Sequence, residues 1–293
     1  MKRLLIVASM LFWPLRLWAC AACSCGDPTL SAVGAEKPYQ GRLRLSLDAR
    51  YRTDSVGRAG IDKLTLRELK TDIQAAWSPS TRLTLMATLP VGTRSVTYAN
   101  TRSQNTAFVG DAELRGKVFV WQERTFDPNH LLALLGGLSL PTGTALAESF
   151  GKVPLELGVS LDVATVSLGA AYAGFARPWS LYASAVLASP LATTREGDRP
   201  ARSLRGTVSL QHQTWATLAL RASGHVRVDG VAMDLGTPDP NSGGKIFFAG
   251  PEALWSPGGD LTFFGYARLP VASGLRGAHD EGPIFGAGVA WDP

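Results

Sequence analysis

Hydrophobic and polar residues alternate along most of the chain after residue 42, and the stretch 110–143 shows this most clearly. In its first half, every second residue is uncharged and the residues between them are densely charged. The uncharged set is Ala112, Leu114, Gly116, Val118 and Val120, and the charged set is Asp111, Glu113, Arg115 and Lys117. Because side chains alternate between the two faces of a β-strand, this pattern predicts a strand with one apolar and one charged face.

The same alternation recurs in about twelve segments up to the C-terminus, which predicts an all-β chain. The third predicted strand ends at Pro90, the sixth covers roughly 157–173, and the tenth covers about 245–255. Pro251 lies in the tenth strand and has no N–H to donate. We therefore expect a bulge or an irregular strand at this residue.

The predicted connections alternate strictly between shorter and longer ones, as in outer-membrane barrels with short periplasmic turns and long outer loops. One of the longer ones is a polar loop through His279, Asp280 and Glu281. Tryptophans lie beside the predicted short connections or at the end of the last strand. They are Trp77, Trp121, Trp179, Trp215, Trp255 and Trp291. Indole rings favour a membrane–water interface, so this set predicts a girdle at the periplasmic rim.

A secreted β-sandwich also alternates polar and apolar residues, so alternation alone does not decide the fold. Three features favour a barrel. The apolar faces are mostly Leu, Val, Ala and Gly and would make a thin core, the opposite faces carry charges of both signs, and the tryptophans gather at one rim. We predict one antiparallel transmembrane outer-membrane β-barrel of about twelve strands over residues 42–293.

The first 21 residues have the layout of a secretory signal peptide: Lys2 and Arg3, an apolar run from Leu4 to Trp13, and small residues near Ala19 and Ala21. The apolar run is well short of the roughly 20 residues that span a bilayer. Losing Lys2, Arg3 and Arg16 lowers the formal net charge from +5 to +2. No clustered basic patch remains that would indicate nucleic-acid binding.

All three cysteines, Cys20, Cys23 and Cys25, fall at the cleavage region. Cleavage after Ala21 leaves Cys23 and Cys25 in a periplasmic N-terminal segment, residues 22–41, whereas a lipobox reading makes Cys20 the lipidated first residue. The thiolates of Cys23 and Cys25 are candidate metal ligands. The alternative is an N-terminal segment without a metal, and no other cofactor is expected.

The charged faces are the main candidate functional feature, because in a barrel they line the lumen. The lumen-lining residues are Arg44, Asp48, Arg50, Glu68, Lys70, Asp72, Glu113, Arg115, Lys117, Arg221, His225 and Arg227. Such a set either lines a wet pore or pairs across strands into a static network. His130 is predicted in a short turn, His212 near a strand end and His279 in an outer loop. No serine has an evident base nearby, so we predict no enzymatic activity, and an outer-membrane hydrolase is the weakest alternative.

Gly110-Asp111 with Leu114 and Lys117, followed by Leu140-Pro141-Thr142-Gly143, resembles the outer-membrane barrel family named for the meta-pathway of phenol degradation. The resemblance implies a transporter-like barrel for small, often apolar, molecules. The end of the last strand, with Phe285 and Trp291, resembles the signal read by the barrel-assembly machinery.

Together these features predict a passive transporter or channel in the outer membrane of a Gram-negative bacterium, with membrane lipid, a small solute and the assembly machinery as partners. The alternative is a non-conducting barrel that binds a metal or ligand through its N-terminal cysteine segment.

Overall fold

Antiparallel strands make up most of the chain from Leu43 onward. The computed structural model describes residues 40–61, 63–99, 102–124, 127–145, 160, 162–194, 197–240, 242–258 and 260–293. The predicted signal peptide and nearly all of the segment 22–41, including Cys20, Cys23 and Cys25, lie outside these residues. No helix in the described ranges is long and apolar enough to cross a membrane.

The described residues contain sixteen strands. They are β1 (Leu43–Val56), β2 (Leu64–Ser80), β3 (Leu83–Thr97), β4 (Ser103–Val109), β5 (Ala112–Gln122), β6 (His130–Leu140), β7 (Thr144–Ala145), β8 (Thr165–Ala176), β9 (Trp179–Pro190), β10 (Ser203–Trp215), β11 (Leu218–Asp229), β12 (Met233–Asp234), β13 (Thr237–Pro238), β14 (Gly244–Gly258), β15 (Leu261–Leu275) and β16 (His279–Trp291). All except the short hairpin β12–β13 belong to one sheet.

The sheet closes on itself. Each strand pairs with its neighbours in the wall, β1 pairs with β16 in the register Leu45 to Trp291, and β2 pairs with β3. Because β4 with β5 and β6 with β7 each form one wall strand, the barrel has twelve strands. The predicted fold class is confirmed.

The two faces of the wall are inverted relative to a soluble protein. On β1 and β2, Leu47 and Leu69 point outward with about half of their surface exposed (46% and 50%), whereas Asp48 and Glu68 point inward and are 1% and 5% exposed. Closure gives every wall strand a hydrogen-bonded neighbour on both sides, so that no open sheet edge faces the bilayer. An apolar exterior with buried charges inside is therefore the arrangement of a transmembrane barrel.

The prediction that the third strand ends at Pro90 is wrong, because β3 continues to Thr97. Pro90 lies where β3 changes partner, from β5 below to β4 above. Here Leu89 and Pro90 face the three residues 110–112, and the N–H of Gly110 donates to the carbonyl oxygen of Pro90 at 2.8 Å. A proline is tolerated because the ladder is already interrupted by this bulge.

The strict alternation of connection lengths is also wrong at two places. The connection 123–129 between β5 and β6 is longer than the connection 276–278 between β15 and β16 on the opposite rim. His279, Asp280 and Glu281 accordingly begin β16 and pair with β1, and do not form an outer loop. The local reason is that Arg52 pairs with Ile284 and Asp54 with Glu281, so that a bulge lets β16 continue beyond its polar segment.

Two further expectations concern β8 and β14. Of the predicted sixth strand, residues 162–164 are not in a strand, and β8 runs from Thr165 to Ala176. At Pro251 the expected irregularity is present: β14 stays in register with Ala222 of β11, but its pairing with β15 is interrupted between Ala249 and Glu252. The missing N–H of Pro251 therefore falls at a gap in the ladder.

Candidate functional site in the barrel lumen

The twelve residues predicted to line the lumen all lie on inward-facing strand positions, and each is buried or half-buried. Arg44, Asp48, Glu68, Asp72, Lys117 and Arg221 are buried, and Arg50, Lys70, Glu113, Arg115, His225 and Arg227 are half-buried. They come from β1, β2, β5 and β11, so they cover separate sectors of the wall. We call the rim with the turns 81–82, 177–178 and 216–217 the periplasmic rim, following the general form of outer-membrane barrels.

Ion pairs connect charges on neighbouring strands in the middle and outer parts of the lumen. Arg52 contacts Glu68 at 3.0 Å and Asp54 at 3.2 Å. Arg50 pairs with Asp72, which Lys70 also approaches at 3.5 Å. The contacts of Arg52 with Glu68 and of Arg50 with Asp72 join adjacent strands and stabilise the pairing of β1 with β2, whereas the other two lie within one strand.

A second group of ion pairs lies on β5 and on the side of β11 and β16. Arg227 bonds to Asp229 at 2.6 Å and pairs with Glu281, while Arg115 pairs with Glu113 on its own strand. Most acidic side chains in this part of the lumen thus already have a basic partner.

Two cavities occupy the lumen above the level of Gln74, Thr88 and Thr207. The first has a volume of about 350 Å³ and is lined by charged residues together with Phe248 and Ile284. The second, of about 390 Å³, lies toward the outer rim and includes Pro200 and Ala232 from the outer loops. The two share Arg52, Glu68, Lys70, Pro90, Glu113, Arg205 and Arg227 as wall residues, so they form one continuous space.

Below this space, side chains fill the lumen toward the periplasmic rim. One cluster contains Ala219, Leu254, Phe264 and Tyr266, and a second contains Phe119, Leu131, Ala133, Ala173 and Tyr182. Polar groups here are almost completely enclosed. The ammonium of Lys117, 1% exposed, lies 4.6 Å from the centre of the Phe119 ring.

Arg221 is the most connected charge in this periplasmic half. Its guanidinium donates to Gln211 at 2.9 and 3.2 Å and to Glu252 at 3.2 Å, and lies 5.1 Å from the Tyr182 ring centre. Nearby, the hydroxyl of Tyr266 donates to Asp48 at 3.1 Å. Buried charges held by several partners in this way are costly to leave unpaired.

The inward face of β6, β8 and β9 is an apolar sector that the sequence reasoning did not identify. Leu135 packs there against Ala171 and Val186, next to the cluster around Leu131 and Tyr182. On these strands both faces are largely uncharged, so alternation of charge gives no signal. The two apolar clusters could have been located from the inward aromatic residues alone.

Several inward charges were also missed. Arg52, Asp54, Arg94, Arg205, Glu252, Arg268 and Glu281 all face the lumen. Their alternation with apolar residues was visible in the sequence, but bulges shift the phase around Asp54 and Glu281. A period-two pattern cannot be followed across such a shift without knowing where the bulge lies.

At the periplasmic rim the last residues of the chain are bound to the first strand. Arg44 contacts Asp292 at 2.6 Å and Arg42 contacts it at 3.0 Å. Burial acts to raise the pKa of Asp292, but the hydrogen bonds from Arg44 and Arg42 outweigh it and hold this pKa below its ordinary value of 3.8. These contacts stabilise the seam between β1 and β16, where the first and last strands pair and close the barrel.

The histidines do not gather into a catalytic arrangement. His130 begins β6 instead of lying in a turn, faces outward, and contacts the hydroxyl of Tyr172 at 2.7 Å. His212 contacts Thr214 and His225 contacts Thr207 at 3.1 Å. His279 lies 3.7 Å from Glu281. Within the described ranges, no group of three or more His, Cys, Asp or Glu residues is arranged to hold a metal.

The six tryptophans of the predicted girdle are all on the outer surface, each between 46% and 66% exposed. Each lies at or near the end of its strand on the periplasmic rim: Trp77, Trp121, Trp179, Trp215, Trp255 and Trp291. Trp255 also packs against Phe263, with 5.6 Å between the ring centres. These positions place amphipathic rings at one border of the apolar belt, where an interface favours them.

No protein-family model matches the chain, and no curated protein sequence matches it. Among solved structures, it is similar to the crystal structure of an outer membrane channel from Pseudomonas putida F1, with a TM-score of 0.71 and 14% identity over 87% of this chain and 96% of that one. It is also similar to the translocator domain of the autotransporter NalP from Neisseria meningitidis, with a TM-score of 0.50 and 13% identity over 86% of this chain and 88% of that domain.

These similarities and the inverted faces of the wall agree on the class of protein: this chain is a transmembrane β-barrel of the Gram-negative outer membrane. At this level of sequence identity the similarity concerns the fold.

Proposed function

We propose that the barrel is a passive channel for small solutes. The observation that carries this proposal is the continuous charged space in the outer half of the lumen, formed by two cavities with shared walls. A barrel that served only as a membrane anchor would have no need to keep such a space open to water. The name of the similar Pseudomonas protein, an outer membrane channel, supports the same class of function.

The filled periplasmic half is the constriction of the proposed channel. Phe119 and Phe264 lie in the two apolar clusters there and contribute aromatic rings to the filled part of the lumen. Transport through this constriction is driven by the solute gradient. Small, partly apolar solutes suit the pathway, because the inward face of β6, β8 and β9 offers them an apolar sector and the resemblance to the meta-pathway family implies cargo of this kind.

We further infer that the protein is not an enzyme and that the assembly machinery and membrane lipid are its other partners. Within the described residues, the hydroxyl groups that His212 and His225 contact are those of Thr214 and Thr207, not those of serines.

Swelling of proteoliposomes tests the channel function. Liposomes carrying the purified barrel, placed in isotonic arabinose, should swell faster than protein-free liposomes, and the advantage should shrink for the larger sugar raffinose. Swelling rates that equal those of protein-free liposomes for both sugars would contradict the proposal. The Arg67→Gln variant is a matched control, because Arg67 lies on the outward face of β2 and its loss should leave the rates unchanged.

A further inference from the structure

Arg205 differs from the other basic residues of the lumen because its guanidinium has no ion-pair partner among the described residues. It projects from the inward face of β10 into both cavities and is exposed there. It makes no hydrogen bond or ion pair with any residue that the structure describes. A guanidinium left in this way in a confined space is a ready binding group for an anion.

The neighbours of Arg205 do not cancel its charge. Arg227 is its direct cross-strand partner on β11, and like charges at such positions repel each other. Two acidic residues, Asp229 and Glu113, interact electrostatically with Arg205. Asp229 forms an ion pair with Arg227, and Glu113 forms one with Arg115. Each of these two acidic groups thus contacts another basic residue and makes no ion pair with Arg205.

Among the described residues, the wall of the inner cavity taken alone has more basic than acidic side chains. Seven basic residues line it: Arg50, Arg52, Lys70, Arg115, Arg205, Arg227 and Arg268. Three acidic residues, Glu68, Asp72 and Glu113, lie in its wall, and Asp54, Asp229 and Glu281 pair with these basic groups from just outside it. Over the two cavities together, the described lining residues include seven basic and seven acidic ones, so the unpaired positive charge is a local feature at Arg205.

The cavity also has an apolar part. Phe248, which is 5% exposed, and Ile284 line it together with Pro90. Its volume of about 350 Å³ is within the range of small-molecule pockets, roughly 300–1,000 Å³. A ligand that satisfies both parts of the wall has one anionic group and an apolar body of a few carbon atoms.

We propose that this cavity binds small organic monocarboxylates and that Arg205 supplies their counter-charge. The planar guanidinium matches a carboxylate through two parallel N–H···O bonds, while the apolar body lies against Phe248 and Ile284. The proposal rests on the channel function, since it names the class of solute that the lumen selects.

Calorimetric titration of the folded barrel in detergent tests the site, with benzoate as the probe and the uncharged benzyl alcohol as its comparison. The wild type and the Arg67→Gln control should bind benzoate at least tenfold more tightly than benzyl alcohol. Arg205→Gln should lose this preference, and Arg205→Lys should keep part of it. Equal affinity for benzoate in Arg205→Gln and the wild type would overturn the proposal.

If Arg205→Gln does not fold, the two probes can still be compared in the wild type. Equal binding of benzoate and benzyl alcohol, or no binding of either, would also overturn the proposed anion site. The titration tests the anion site and the swelling assay tests the channel, so a negative result in one does not decide the other. Swelling without selective benzoate binding removes the anion site and leaves the channel, whereas selective binding without swelling removes the channel and leaves a binding barrel.

Discussion

The outer and periplasmic halves of the lumen are built on the same alternating strands, yet they differ in how their polar groups are satisfied. In the outer half, Arg115 and Glu113 keep 16% and 25% of their side-chain surface exposed beside an open cavity. In the periplasmic half, Arg221 and Glu252 keep 1% and 6%. The difference arises because aromatic residues such as Phe264 occupy the space that water takes above.

This contrast teaches that an inward charge has two different roles in one barrel. Where water reaches an ion pair, the pair contributes little to the stability of the protein, and its charges are available to a solute. Where side chains exclude water, the pair needs every one of its partners, and the charge is part of the packing. The predictions below test this distinction, from the largest expected effect to the smallest.

Removing Arg221 should cause the largest loss of stability. In Arg221→Ala the buried carboxylate of Glu252 and the amide of Gln211 lose their donor, which should cost about 3 kcal/mol in the free energy of unfolding. The matched change in the outer half, Arg115→Ala, should cost less than about 1 kcal/mol because water solvates Glu113. Urea unfolding in lipid vesicles measures both, and equal losses would remove the distinction between the two halves.

At the periplasmic rim, Asp292→Asn should weaken the seam between β1 and β16 by about 1 to 2 kcal/mol at neutral pH, since it removes the charge that Arg44 and Arg42 share. The pKa of Asp292 is lowered in the folded state, so its contribution is fully present above 3.8 and is lost as the pH falls through the folded pKa.

The difference in unfolding free energy between wild type and Asp292→Asn should therefore be constant above about pH 5 and shrink below 3.8. Unfolding measured at a series of pH values checks this. A difference that grows on acidification would show that Asp292 does not act through its charge.

Two hydroxyl contacts, one below and one beside the inner cavity, should show the smallest effects. Ser209 and Ser223 are buried and their hydroxyl oxygens are 2.8 Å apart, so Ser209→Ala should cost about 1 kcal/mol by removing this hydrogen bond. Thr207→Val, which breaks the 3.1 Å contact with His225 at the cavity wall, should cost about 0.5 kcal/mol or less because water can replace the hydroxyl.

The double variant Ser209→Ala, Ser223→Ala provides the control for this pair. It should cost less than the sum of the two single changes, since it removes both partners together. An additive result would mean that the two hydroxyls are already hydrated.

Much of the fold was predictable because polar and apolar residues alternate along each strand, and this pattern can be seen in neighbouring residues of the sequence. Arg44, Asp48, Glu68 and Asp72 show it directly, and the barrel follows from faces that no soluble core would bury. The bulges at residues 110–112 and beside Glu281 were not predictable, since they depend on which strands become partners. For the same reason the sequence predicts a strand end at Pro90, although this residue lies inside β3.

The candidate site was predictable only as a set of inward charges. Arg227 has two acidic partners, Asp229 and Glu281, whereas Arg205 has no ion pair among the described residues. This difference depends on a contact between β11 and β16, which are far apart in the chain. The division of the lumen into an open and a filled half depends on where Phe119, Tyr182 and Phe264 meet. Period-two patterns show which face a residue occupies and carry no information about its neighbours across the lumen.

Single-channel recording in planar bilayers tests the central claim most directly, because Phe264 faces the constriction and its neighbour Phe263, 40% exposed, faces the lipid. The account predicts discrete conductance steps in potassium chloride for the wild type, an increase of at least twofold in Phe264→Ala, and steps of unchanged size in Phe263→Ala. A wild type without conductance steps, or equal conductance in the two variants, would contradict a channel constricted in its periplasmic half.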